Sequence, residues 1–208
     1  MTKESDTPVT SGQVLSTSVS RRTEGASYPY EELSEMVERW LEANRRAERD
    51  QDWKPMAAMY TEDATYGWNM GPHEEFMAVG RDEIRDIALG LEMGGLDGWT
   101  YPYQKVLIDP VQGEVIGLWK QIADTTRSDG SPYVIAGLGG SWFRYGGNWQ
   151  WSWQRDFFDV GNATSLFIEM IKADALSEGM RRRIERATSG GMLPGHYRPG
   201  DAPVGLWD

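Results

Sequence analysis

The chain has 208 residues, a net charge of −11 and no cysteine. That length suits one domain with extensions and a sizeable core. The charge speaks against nucleic acid and anionic membranes as partners, because both attract cationic faces, and the missing thiols exclude a disulfide framework, a thiolate zinc site and a cysteine nucleophile.

Residues 1–27 are rich in Ser, Thr and charge and lack both an apolar period and an apolar leader segment. They read as a flexible tail and not as a secretory signal. No apolar run reaches the length of a membrane span, so the expected compartment is the cytoplasm. Leu33, Met36, Val37, Trp40, Leu41 and Asn44 then fall on one face of a long helix. A short helix over Trp53–Tyr60 has Pro55 in its first turn. Thr61–Asp63 is expected to turn the chain into a strand over Ala64–Trp68, followed by a loop over Asn69–Pro72. The spacing predicts a third helix over Arg81–Leu91, stopped by Gly94 and Gly95.

Four strands are expected next: Trp99–Ile108, Glu114–Thr125, Tyr133–Tyr145 and Trp149–Asp159. Asp109–Gly113, Ser128–Gly130 and Gly146–Asn148 are the turns between them. Gly137, Gly139 and Gly140 inside the third strand suggest a bulge or a sharp bend. Helices over Asn162–Lys172 and Ala175–Arg186 follow, and a Gly- and Pro-rich arm ends at Val204, Leu206 and Trp207. The run Arg181–Arg183 with Arg186 is diluted by Glu178 and Glu185 and reads as a solvated helix face.

Helices segregated from an antiparallel meander mean an α+β fold: a curved sheet wrapped round a long helix, shaped as a cone with an open mouth. Residues 28–172 form this ligand-binding or catalytic unit, and 173–208 form a C-terminal helix and extended arm. Ten Trp and nine Tyr exceed the needs of such a core, and each carries a donor that seeks a partner when buried. An aromatic-lined ligand cavity accounts for that surplus.

The segment Tyr60–Tyr66 with Val79–Ile84 resembles the front half of the nuclear-transport-factor-2-like superfamily, which includes the SnoaL-like polyketide cyclases. Trp153–Asp159 resembles the last strand of its limonene-type epoxide hydrolase branch. The resemblance implies a cone-shaped pocket and a homodimer or homotrimer. Where ketosteroid isomerases of this superfamily carry their proton-transfer Asp and Tyr, this chain has Trp68 and Trp40. Where the epoxide hydrolases hold an attacking water, Tyr66, Asn69 and Asp156 resemble their residues, but Trp119 and Gln121 replace an Arg and an Asp. The diarylpropane lyases, which remove water and formaldehyde without a cofactor, share the aromatic character of the pocket.

Asp156 is the leading candidate for chemistry. A carboxyl among Trp side chains has its charged form disfavoured, so its pKa rises and it can serve as a general acid or base; the alternative is a structural pair with Arg155. Tyr66 and Asn69 can orient a water or hydroxyl, and His73, in a loop near the mouth, can shuttle protons. Strand alternation places Trp119 and Gln121 on the cavity face and Lys120 outside. Trp40, Trp68, Tyr101, Tyr103, Trp142, Gln154 and Phe158 are the remaining candidates for binding. Trp149, Trp151 and Trp153 share a parity and are expected to form a subunit interface. His196 lies in the arm and ranks below His73 as a candidate. Two distant histidines make no metal site, and Gly137–Gly140 lies within a strand, outside the context of a dinucleotide loop, so no cofactor is implied.

The function expected is that of a cofactor-independent acid–base lyase, dehydratase or isomerase acting on a bulky hydrophobic, aromatic or polycyclic small molecule. An epoxide hydrolase and a non-catalytic binding or scaffolding cone are the alternatives.

Overall fold

In the computed structural model, which describes residues 28–208, helix α1 (Tyr30–Asp50) buries Leu33, Met36, Val37, Trp40, Asn44 and Ala47 along one face. This is the predicted stripe. The tail expected over 1–27 lies outside the described residues. A 3-10 turn, Lys54–Met59, leads into β1 (Tyr60–Asn69). The expected turn at Thr61–Asp63 is instead a wide bulge inside β1: Tyr60 pairs with Trp151, and the next pair is Thr65 with Trp153. A strand that the sequence reading missed, β2 (Glu75–Val79), pairs antiparallel with β1. Four of its five residues are buried, so it carries none of the alternation that marks a half-exposed strand. Helix α2 (Arg81–Glu83) runs on as a wider π-helical stretch, Ile84–Glu92.

Each of the next three expected strands breaks at one level. The first becomes β3 (Trp99–Thr100) and β4 (Tyr103–Asp109), the second β5 (Glu114–Trp119) and β6 (Ile122–Thr126), and the third β7 (Pro132–Val134) and β8 (Gly139–Gly147). Pro102, which has no N–H to donate, and Gly137, at φ 90°, sit at two of the breaks. The hairpin turn before β9 (Gln150–Phe157) centres on Asn148 and Trp149, both left-handed. Arg39 lies 4.1 Å above the Trp149 ring, and the Trp149 N–H donates to the Tyr145 hydroxyl at 3.0 Å. Helices α3 (Val160–Lys172) and α4 (Glu178–Thr188) are capped by Asp159 and Ser177. A final two-residue strand, β10 (His196–Tyr197), lies on the edge of β2.

The main sheet has the order β10-β2-β1-β9-β8-β5-β4, and β3-β6-β7 form a second sheet. Neighbours are antiparallel except at the seam where β1 and β9 run parallel. One core lies between α1 and the concave face of the main sheet. A second, with Leu96, Trp99, Tyr133, Leu166 and Met180, lies under the small sheet, α3 and α4. Among the described residues no helix is long and apolar enough to cross a membrane.

The expected interface of Trp149, Trp151 and Trp153 is corrected here. Arg144 pairs with Trp153 and Tyr145 with Trp151, so Ser152 is an extra residue and the two tryptophans point to opposite faces. Trp151 is fully buried against Trp40, Phe143 and Tyr145. Trp153 lies on the convex face, where its indole donates to the Asp208 carbonyl at 2.7 Å. We expect Trp151→Ala to lower stability by about 3–5 kcal/mol in urea unfolding. A loss under ~1 kcal/mol, the usual range for surface positions, would place Trp151 outside the core.

Candidate active site

The register of the main sheet sets one row of side chains across its concave face: His196, Phe76, Trp68, Asp156, Ser141, Gly117 and Val106. The neighbouring row runs from Tyr66 to Gln154, Phe143 and Val115. These rows, α1, the π-helical stretch and α4 enclose a cavity of about 380 Å³. It lies between the two cores and draws its lining from both, with Trp40, Tyr60 and Met56 from one and Leu96, Met180 and Phe167 from the other.

Asp156 opens on this cavity. The Tyr66 hydroxyl donates to its Oδ2 at 2.6 Å and the Gln154 amide to its Oδ1 at 2.8 Å. Gln154 is held in turn by a hydrogen bond from the Tyr60 hydroxyl. Burial pushes the Asp156 pKa above its ordinary 3.8, and hydrogen bonds from Gln154, Ser141 and Tyr66 offset this only in part. The Tyr60 and Tyr66 phenols are pushed well above 10, first by burial and then by the Asp156 charge. They remain protonated donors. Trp40 Nε1 donates to the Tyr103 hydroxyl and Trp119 Nε1 to Ser141 Oγ, both at 3.0 Å.

Two glycines make room for these rings. A Cβ on Gly117 would stand 2.3 Å from Tyr103 Cε1, and one on Gly139 2.3 Å from Trp119 Cζ3. Gly139, expected to bend a strand, thus also serves as a slot for an indole.

A second polar cluster borders the cavity. Glu92, 4% exposed, is met by Arg183 at 3.0 Å and by His196 Nε2 at 3.3 Å; Arg186 stands at 3.9 Å. His196 Nδ1 faces Glu74 Oε1. Arg183 and Arg186 therefore turn inward, which corrects the reading of a wholly solvated face, and His196, ranked below His73 as a candidate, is 5% exposed. Burial raises the Glu92 pKa, but His196 and Arg183 together bring it below 4.5. Burial lowers the His196 pKa, but Glu92 and Glu74 together take it above 6.5.

The cavity brings together Trp40, Tyr66, Trp68, Tyr101, Tyr103, Trp119, Gln121, Gln154, Asp156 and Phe158. It leaves out three other residues read as candidates. Asn69 is exposed, and its Oδ1 accepts from the Gly71 N–H at 2.8 Å, so it caps a turn. His73 is exposed in that turn. Trp142 pairs with Arg155 in the register, one position off the inward row of Ser141 and Phe143; its indole donates to Glu114 on the convex side at 3.0 Å. Arg155 shares that outer face. Its guanidinium donates to the Leu206 carbonyl at 2.7 Å and not to Asp156, and burial pushes its pKa down to about 10. Lys120 is exposed. Residues missed in the sequence are Tyr60, Ser141, Glu92 and Arg183. Tyr60 had a signal, since it shares the parity of Tyr66 and Trp68 on one strand. Glu92 and Arg183 are too far apart in sequence to have had one.

A curved sheet closed on one helix, with its polar residues on the concave face, is the architecture that the resemblance implies. The fold is α+β, a curved sheet wrapped round helices. Solved structures similar to this chain include two proteins described as NTF2-like. One, from Anabaena variabilis, is 17% identical with a TM-score of 0.48. The other, from Burkholderia pseudomallei, is 13% identical with a TM-score of 0.47. Each alignment covers 65% of this chain and 96% of the other. A phenazine biosynthesis-related protein from Pseudomonas aeruginosa is 12% identical, covering 71% of this chain and 89% of its own, with a TM-score of 0.49. At such identities nothing about reaction or ligand passes from them to this cone. No protein-family model and no curated protein matches the chain.

Two outcomes follow from this geometry. Gly117→Ala displaces the Tyr103 ring, so an uncharged cavity-bound fluorescent probe such as N-phenyl-1-naphthylamine should bind several-fold more weakly; equal binding by both proteins would show that the ring can move aside freely. The raised pKa of His196 contributes stability that is fully present below about 6.5 and is lost as pH rises through its folded value. The urea midpoint of the wild type should therefore fall on going from about pH 6 to about pH 9. His196→Gln should flatten that slope.

Proposed function

We propose that the protein is a cofactor-independent acid–base enzyme of the lyase, dehydratase or isomerase type, acting on a bulky aromatic or polycyclic small molecule. The observation that carries this reading is Asp156, a carboxyl with a raised pKa at the wall of an aromatic cavity, fixed by Tyr66 and Gln154. Such a group takes a proton from carbon or hydroxyl in its charged form and returns it in its neutral form. The cycle needs no co-reactant. In an elimination, the C–H pair forms the new double bond, Asp156 holds the proton, and the departing oxygen receives it as water. In an isomerisation, the proton returns to a different carbon.

The surroundings support that cycle. Tyr66 and Gln154 hold both carboxyl oxygens, so the proton moves at a fixed place. The Trp and Tyr wall excludes water and strengthens the few polar contacts. Tyr101, Tyr103 and Gln121 line the same cavity and can position substrate oxygens. The epoxide hydrolase reading loses support, because Asn69 is occupied in a turn outside the cavity.

The experiment is mass spectrometry of the protein incubated with diaryl diols, aryl epoxides and unsaturated ketones. Loss of water or formaldehyde from a diol, or isomerisation of a ketone, is the expected result; gain of water by an epoxide points to hydrolysis, and binding without turnover to a binding cone. With an active substrate, Asp156→Asn should lower kcat about 10²–10⁴-fold. Activity should rise with pH along a limb above the ordinary carboxylate range. Tyr66→Phe removes a donor that favours the charged form, so it should move that limb to higher pH. An unmoved limb would mean that Asp156 is not the titrating group.

A further inference from the structure

We propose that the cavity selects organic cations: the ligand is a bulky aromatic molecule carrying a quaternary or protonated nitrogen, held by the Asp156 carboxylate within a box of Trp and Tyr rings. This deepens the reading of Asp156 as the proton-transfer group and rests on the same site.

Three observations lead there. The first is the charge of the lining. Among the described residues, the charged side chains that border the cavity are Asp156, Glu92 and Arg183. Arg183 is spent on Glu92, donating to its carbonyl oxygen and, at 3.0 Å, to its carboxylate. Asp156 meets only neutral donors, so its charge has no counter-ion. A ligand cation supplies one, in a site where burial strengthens the attraction.

The second is the direction of the protons. Tyr66 gives its proton to Asp156 and Tyr60 gives its own to Gln154. Trp40 and Trp119 give theirs to Tyr103 and Ser141. These four donors are turned toward protein acceptors, so around the carboxylate they offer a ligand ring faces and not protons. That suits a cation and not an anion.

The third is the arrangement of the rings. Trp53 and Tyr101 stand at 89°, Tyr101 and Trp119 at 85°, and Tyr66 and Trp68 at 65°. Neighbouring rings turned in different directions border the space with faces as well as edges, and a cation held against Trp and Tyr faces is attracted by their quadrupoles. The net charge of −11 also raises the local concentration of cations outside the mouth.

The test compares phenethyltrimethylammonium with its uncharged isostere 3,3-dimethylbutylbenzene, which has the same shape, by quenching of the tryptophan fluorescence of the full chain. The cation should bind at least about tenfold more tightly. Asp156→Asn should cut the difference several-fold, leaving only what the ring faces supply, with the circular dichroism spectrum as the check on folding. A second readout needs no variant. As pH falls and Asp156 takes up a proton, the advantage of the cation should shrink, while Glu92, held below its ordinary value, stays paired with Arg183. Equal or tighter binding of the isostere, a preference undiminished by both Asp156→Asn and acid, or no binding of either probe overturns the proposal. None of these outcomes touches the acid–base reading, which is decided by turnover.

Discussion

Two strands running in the same direction, β1 and β9, place Tyr66 opposite Gln154 and Trp68 opposite Asp156. This seam joins the front of the chain to its last long strand, ninety residues later, and both strands bulge beside it. The extra residue Ser152, set beside the wide bulge at Thr61–Ala64, brings Trp151 to the concave face that Gln154 and Asp156 share with Tyr60, Tyr66 and Trp68. Without it, strand alternation would send Trp151 and Gln154 to opposite faces. Trp151 now fills the core under α1, and Gln154 holds the carboxyl. Core and site thus depend on the same irregularity.

The cost of the site is the desolvation of one carboxylate. It is met by neutral donors and not by a cation, which leaves the charge fixed in place but uncompensated. The second cluster shows the opposite solution: Glu92 is surrounded by His196 and Arg183, and its pKa falls. Two carboxylates on one cavity wall are therefore shifted in opposite directions by their surroundings, Asp156 upward and Glu92 downward.

Local pattern was legible in the sequence. The stripe from Leu33 to Asn44 gave α1, and the inward parity of Gln154, Asp156 and Phe158 on the last strand gave the heart of the cavity. What escaped depended on partners far away in the chain. Glu75–Val79 is buried without alternation and so has no strand signature. The break at Lys120–Gln121 has no Gly or Pro to mark it. Ser152 sits between two tryptophans and gives no sign that it is the extra residue, so parity counted through it misplaced Trp151. The end of the first strand could not be fixed to the residue: Asn69 is its last residue, and His73 lies in the turn beyond it.

The arm that carries His196 also settles what becomes of the rim of the sheet. β2 would otherwise be an outer strand, with backbone donors and acceptors open to any extended chain, which is how sheets recruit one another into aggregates. Here Met77 N–H is taken by the Gly195 carbonyl at 2.8 Å, and Phe76 and Glu75 are paired with His196 and Tyr197. The buried imidazole that helps balance Glu92 is thus also the pin that keeps this rim occupied by the protein's own backbone.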